Sequence, residues 1–222
     1  MKSSVKMRAV ERVLSATNDL TQSEEFAQQS TTSYYELNAA EYASRTLNAD
    51  LSKLYEPFLS KIPKHSRILD VGCGAGRDLR EFSRRGYRPY GIDSSRALAT
   101  MAHWNSGAPT EQLRVEDAKF SGDFEGVWAC ASLLHLPKSR LSQALARLWL
   151  AMTSPAVMFV SVQEGRGEIT SEDGRFFALY SQDDIIQKLI SSGFEVNEAW
   201  VTTDTLPGRS KIRWINVLAT KN

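Results

Sequence analysis

The chain has 222 residues, with 27 basic against 26 acidic side chains and a net charge of +1. That length fits one α/β domain with an N-terminal extension and a sizeable core, and the charge balance offers no global field for nucleic acid or an anionic membrane. Cys73 and Cys130 are too few for a disulfide framework and stand in no metal-ligand spacing, so no metal is expected and a cytoplasmic setting is. Residues 1–20 carry Lys2, Lys6, Arg8 and Arg12 without the apolar run of a secretory signal. Val5, Val10, Val13, Leu14 and Leu20 give this segment an apolar stripe, read as an ordinary helix with an organellar presequence as the alternative. Residues 17–33 are polar and rich in Ser, Thr and Gln; they read as a linker, which makes 1–33 a partly flexible extension. Residues 34–46 and 47–59 read as helices, the second ending around Pro57.

Strands and helices then alternate. Strands are expected at 66–71, 87–92, 113–115, 127–131, 156–162, 194–200 and 213–220; helices at 77–85, 95–104, 138–152 and 182–192. This order predicts a Rossmann-like α/β fold, a seven-stranded and mostly parallel sheet with helices on both faces. No helix-length segment separates the final two strands, so the last is expected to run antiparallel. The excursion 161–181 reads as a functional loop bearing Arg166, Arg175 and Tyr180.

In such a sheet the ligand crevice lies beyond the C-terminal strand ends at the switch point. The stretch "ILDVGCGAGRD", 68–78, sits there. Gly72 and Gly74 free its backbone for a tight turn and close ligand approach. Asp93 ends the next strand, where a carboxylate can accept two hydrogen bonds from a ribose; a helix cap is the other reading.

"LDVGCGAGRD" followed by "GIDSS" resembles the class I S-adenosylmethionine-dependent methyltransferases. The spacing from Asp70 to Gly76 is D-x-G-x-G-x-G, where a dinucleotide site would show GxGxxG. "VEDA" (115–118) is similar to the family's third-strand acidic motif, "GVWACASLLHLP" (126–137) to its fourth strand and loop, and "WINVLAT" to its last strand. The resemblance implies S-adenosyl-L-methionine as cofactor. It implies Gly72, Cys73 and Gly74 beneath the methionine part, Asp70 bracing the turn or near the ammonium, and Arg77 and Asp78 on the carboxylate side. Asp93 would take the ribose with Ser94 beside it, Asp117 and Ala118 the adenine with Phe120 flanking, and Ala131, Ser132 and Leu133 through His135 the methyl side. "YELNAAEY" (35–42) resembles an N-terminal element that folds over the cofactor, which makes 34–60 a helical lid of the domain 34–222. Tyr35, Tyr42 and Arg45 belong to it; plain packing is the alternative for both tyrosines.

The implied reaction moves a methyl group to an O or N atom of a small-molecule acceptor, with no membrane partner. "ASLLHLP" carries no amide or acid where amino-methyltransferases of nucleic acid have Asn/Asp-Pro-Pro-aromatic, which weighs against adenine-N6 and cytosine-N4 methylation, and the neutral total charge leans against a nucleic-acid partner. His135 is the expected catalytic residue as general base, with packing or loop orientation as the other reading. Methylation of RNA at a tRNA base, or a catalytically silent cofactor-binding partner subunit, are the alternative functions.

Overall fold

The computed structural model describes residues 2–15, 21–204, 206 and 208–222. Five strands run parallel: β1 (Arg67–Val71), β2 (Arg88–Asp93), β3 (Thr110–Gln112), β4 (Phe124–Cys130) and β5 (Met152–Gln163). A short hairpin follows, β6 (Glu168–Thr170) with β7 (Phe176–Ala178), then β8 (Glu195–Thr203) and β9 (Arg213–Lys221). The main sheet has the order β3-β2-β1-β4-β5-β9-β8, and β9 lies antiparallel to both of its neighbours. The expected seven-stranded sheet and its antiparallel last strand are therefore present. Because the chain moves outward from β1 to β3 and then returns to β4, the switch point opens between the C-terminal ends of β1 and β4.

Alternation along the strands buries both faces. Leu69, Val127, Met158 and Val160 enter one apolar layer; Ile68, Trp128, Val157 and Phe159 enter the other. Each fully buried large side chain contributes about 1.5–3 kcal/mol. Trp128 stacks on Phe159 with ring centroids 4.0 Å apart, closed over by α4 (Ser52–Leu59). That helix continues past Pro57 because Phe58 and Leu59 are buried against the sheet, a tertiary gain that outweighs the missing N–H. The opposite layer is covered by α7 (Lys138–Ala151), on which α1 (Lys2–Ser15) packs through buried Val10.

Four expectations change. Residues 22–33, read as linker, begin α2 (Gln22–Leu37), a helix started by a Thr21–Glu24 capping box; residues 17–20 of that linker lie outside the described residues. The third strand lies at Thr110–Gln112 rather than 113–115, because Val115–Asp117 turns into a 3-10 helix. The 161–181 loop contains the β6–β7 hairpin. The helix run read as 34–46 breaks at Asn38 and resumes as α3 (Ala39–Thr46).

The glycine turn leads into α5 (Arg77–Arg84), and β2 leads into α6 (Arg96–Ser106). Gly76 begins α5 with φ +89°, and a Cβ there would stand 2.8 Å from both the Cα and the carbonyl oxygen of Ala102 in α6. Backbone cannot swing aside as a side chain can. Gly76→Ala is therefore expected to cost about 2–4 kcal/mol of stability, read as a lowered urea midpoint with an unchanged slope.

Candidate functional site

A cavity of about 740 Å³ occupies the switch point, floored by the ends of β1, β2 and β4 and roofed by α2. The turn after β1 forms because Gly72 and Gly74 adopt φ +68° and +54°, while the N–H groups of Gly72 and Cys73 both donate to the Ile92 carbonyl. A Cβ on Gly72 would lie 2.5 Å from Cβ of Ser132, and one on Gly74 would lie 3.1 Å from the Tyr42 ring. Glycine thus keeps a channel between this turn, the loop after β4 and α3. Ala131 takes a left-handed φ of +55°, uncommon for a residue with a side chain, and turns Ser132 over Gly72.

At one end of the cavity stands Asp93. Its Oδ2 accepts from the Gly74 N–H at 2.9 Å and its Oδ1 from the Ser95 N–H at 2.9 Å. Each oxygen keeps a further lone pair for a ligand. Burial pushes this carboxyl up to about 6, against the two backbone N–H donors, and the Glu36 charge adds to the rise. The helix-cap reading of Asp93 gives way to Ser95, whose hydroxyl accepts from Leu98 N–H. Ser94 and Asp117 line the same end; Asp117 is exposed and 3.9 Å from Arg114. The better-held acid is Glu116, 3% exposed, which accepts from Gln28 of α2 and from Arg114.

At the other end rings predominate. Tyr35, Tyr42, Ala131, Leu133 and His135 line it, and the Tyr35 ring meets those of Tyr42 and His135 edge-on at 5.2 and 5.4 Å. His135 Nδ1 lies 2.7 Å from the Phe176 carbonyl, which only accepts, so Nδ1 carries the proton. Nε2 then accepts from the Tyr35 hydroxyl at 2.9 Å. Burial, with Arg175 nearby, lowers the imidazole pKa to about 4. Both ring nitrogens of His135, the residue expected as general base, are engaged within the protein, Nδ1 by a carbonyl and Nε2 by a phenol. A nitrogen-15 NMR titration is expected to find His135 neutral from pH 8 down to about 5.

Other sequence-predicted residues stand behind the walls. Asp70 is buried beneath the turn with Oδ2 unpartnered, its carboxyl raised by burial and by the Asp78 charge. Cys73 faces Gly91 behind the turn, and burial raises its thiol well above the usual range. Arg77 and Asp78, expected near the ligand, turn toward α4 instead. Asp78 accepts from Arg77 Nε at 2.6 Å, Tyr55 Oη at 2.5 Å and Trp128 Nε1 at 2.8 Å. Arg45 pairs with exposed Glu41, Ala118 is buried in the core, and Phe120 packs on Tyr90 and Phe124.

The reading from sequence missed the roof's anchors. Glu36 accepts from the Ser95 hydroxyl and the Ala97 N–H, Thr31 accepts from the Phe176 N–H, and Ser30 donates to the Gly174 carbonyl. Only Glu116, beside Asp117 in "VEDA", had a local signal. The cavity fits an adenosyl ligand with an amino-acid arm. Asp93 offers paired acceptors for a diol, the glycine turn gives room for close approach, and the Ser132 hydroxyl is buried without a partner beside it.

A family model described as a methyltransferase domain matches residues 42–199. No curated protein matches the chain in sequence. Among solved structures it is similar to a Burkholderia thailandensis 1,6-didemethyltoxoflavin-N1-methyltransferase with bound 1,6-didemethyltoxoflavin and S-adenosylhomocysteine, at 17% identity, 93% coverage of each chain and TM-score 0.73. It is also similar to magnesium protoporphyrin IX methyltransferase from Synechocystis with bound S-adenosylmethionine, at 14% identity, covering 93% of this chain and 100% of that one, TM-score 0.69. The cyclase SpnF shares the fold at 15% identity, covering 88% of this chain and 96% of that one, TM-score 0.68.

Proposed function

The chain belongs to the methyltransferase domain family and is an S-adenosylmethionine-dependent methyltransferase; from that premise we propose that its methyl acceptor is an O or N atom of a small molecule. The observation that carries this reading is the lining of the cavity. Among the described lining residues Arg114 is the one Lys or Arg, and it is tied to Glu116 and Gln28. An RNA substrate needs cations along its phosphates. The roofed, ring-lined end instead suits a compact planar or apolar acceptor. The Burkholderia N1-methyltransferase, with bound 1,6-didemethyltoxoflavin, is an example of a small-molecule ligand on this fold.

S-adenosylmethionine supplies an electrophilic methyl on a positively charged sulfur. The residues of this chain bind, orient and keep out water. Asp93 would hold the ribose, Gly72 and Gly74 would leave room for the methionine arm, and Ser132 would offer its hydroxyl there. Glu116 and Asp117 would stand toward the adenine. Of the residues 34–60 expected as a lid, α4 is built into the core, so α2 and α3 would act as the lid. In-line displacement depends mainly on positioning, which rigid anchors provide.

The test is incubation with methyl-labelled S-adenosylmethionine and either a metabolite extract or total RNA. Label is expected in small molecules; label in RNA alone overturns the acceptor class. Binding without any transfer would instead assign a silent partner subunit.

A further inference from the structure

The ring-lined end of the cavity has a fixed hydrogen-bond polarity, and its origin lies outside the cavity, in the hairpin. Both polar atoms of the Phe176 peptide are committed: its N–H donates to Thr31 Oγ1 at 2.8 Å, and its carbonyl accepts from His135 Nδ1 at 2.7 Å. With Nδ1 protonated, the neutral ring presents a bare Nε2, so the hydrogen in the 2.9 Å contact must come from Tyr35. A phenol has one hydrogen. Spent on His135, it leaves the Tyr35 oxygen with lone pairs alone.

Arg175 fixes the same residue from outside. Its guanidinium lies over the Tyr34 ring at 4.5 Å and over the Tyr35 ring at 5.8 Å. Asp173 balances the charge of Arg175 through contacts of 2.6 to 3.1 Å. Tyr35 lines the cavity beside Tyr42, whose ring borders the glycine turn.

We propose that His135 is a positioning residue which, set by the Phe176 carbonyl, makes Tyr35 an acceptor-only group, so that this end of the cavity selects a positively charged or N–H-bearing group. The inference rests on the cofactor reading above and adds a polarity that the reading does not contain. His135→Gln preserves the polarity, because its amide N–H₂ can donate to Phe176 while its oxygen accepts from Tyr35. His135→Leu frees the phenol hydrogen to point into the cavity, and Tyr35→Phe removes the oxygen.

Calorimetric titration of each variant with three nucleosides tests this: S-adenosylhomocysteine, which has neither charge nor N–H at the transfer point; S-adenosylmethionine, which has the charge; and sinefungin, which has an ammonium there. Relative to the unaltered protein, Tyr35→Phe and His135→Leu are expected to lower the sinefungin-to-homocysteine-form affinity ratio by about fivefold or more, and His135→Gln to keep it within about twofold. A parallel fall in the S-adenosylmethionine ratio assigns the selection to charge; a fall for sinefungin alone assigns it to N–H. A ratio in Tyr35→Phe within about twofold of the unaltered protein overturns the proposal even if all three nucleosides bind. If the unaltered protein binds none of them, the cofactor reading falls, and this inference with it.

Discussion

Asp93→Ala is expected to weaken S-adenosylmethionine binding by about a hundredfold or more, since two hydrogen bonds to a buried carboxylate are lost at about 1.5–3 kcal/mol each. The change also leaves the N–H groups of Gly74 and Ser95 without their acceptor, which loosens the turn from below. Calorimetry checks the affinity, and circular dichroism checks that the sheet persists; a dissociation constant within about threefold of the unaltered protein would exclude the ribose role. The same residue sets a pH dependence. Its carboxyl titrates near 6 because burial disfavours its charge. Ligand hydroxyls donate to the ionised form, so affinity is full above that value and falls as the pH drops through it. Stability runs the other way. An unfolded aspartate titrates at about 3.9, so between about 4 and 6 the folded protein holds a proton that the unfolded chain lacks. This group therefore makes the ligand-free protein less stable as pH rises through that window, and adds no further slope above it.

Asp78→Ala is expected to lower the unfolding free energy by about 3–5 kcal/mol, the usual cost of removing one partner of a buried ion pair. Burial alone would raise the Asp78 carboxyl, yet the Arg77 charge and the Arg77, Tyr55 and Trp128 donors hold it below the ordinary range. Truncation leaves those donors facing one another with no acceptor. The double variant Arg77→Met, Asp78→Leu is expected to recover part of the loss, because the stranded charge is gone while Tyr55 and Trp128 stay unpartnered. Thermal and urea unfolding measure both. Nucleoside affinity of the folded fraction is expected to change by less than about threefold, since neither side chain lines the cavity.

These two aspartates mark the reach of the sequence. Asp93 was legible because a carboxylate closing a strand after a glycine turn has a chemical reason to be there, and strand alternation with helix-length crossovers specified the sheet. Asp78 was misassigned because its partners lie 23 and 50 residues away, a relation that no local pattern encodes. The short third strand slipped by three residues because its register depends on pairing with Gly91 to Asp93, its own residues being mostly exposed. Tyr35 and His135 were both singled out, yet the tautomer that decides their roles is set by a backbone carbonyl in a hairpin whose strands are three residues each.

The roof explains the remaining miss. The wholly buried residues of α2 are Gln28 and Thr31, so hydropathy had no stripe to report. A cover fastened by an amide, hydroxyls and the carboxylates of Glu24 and Glu36 differs from one glued down by oil. Were α2 to lift as the proposed lid, water would replace those polar partners, and the Tyr35 ring would be the chief apolar group uncovered. Such an opening is expected to carry a small heat-capacity increment. The uncovered face would then offer few adhesive spots to neighbouring molecules.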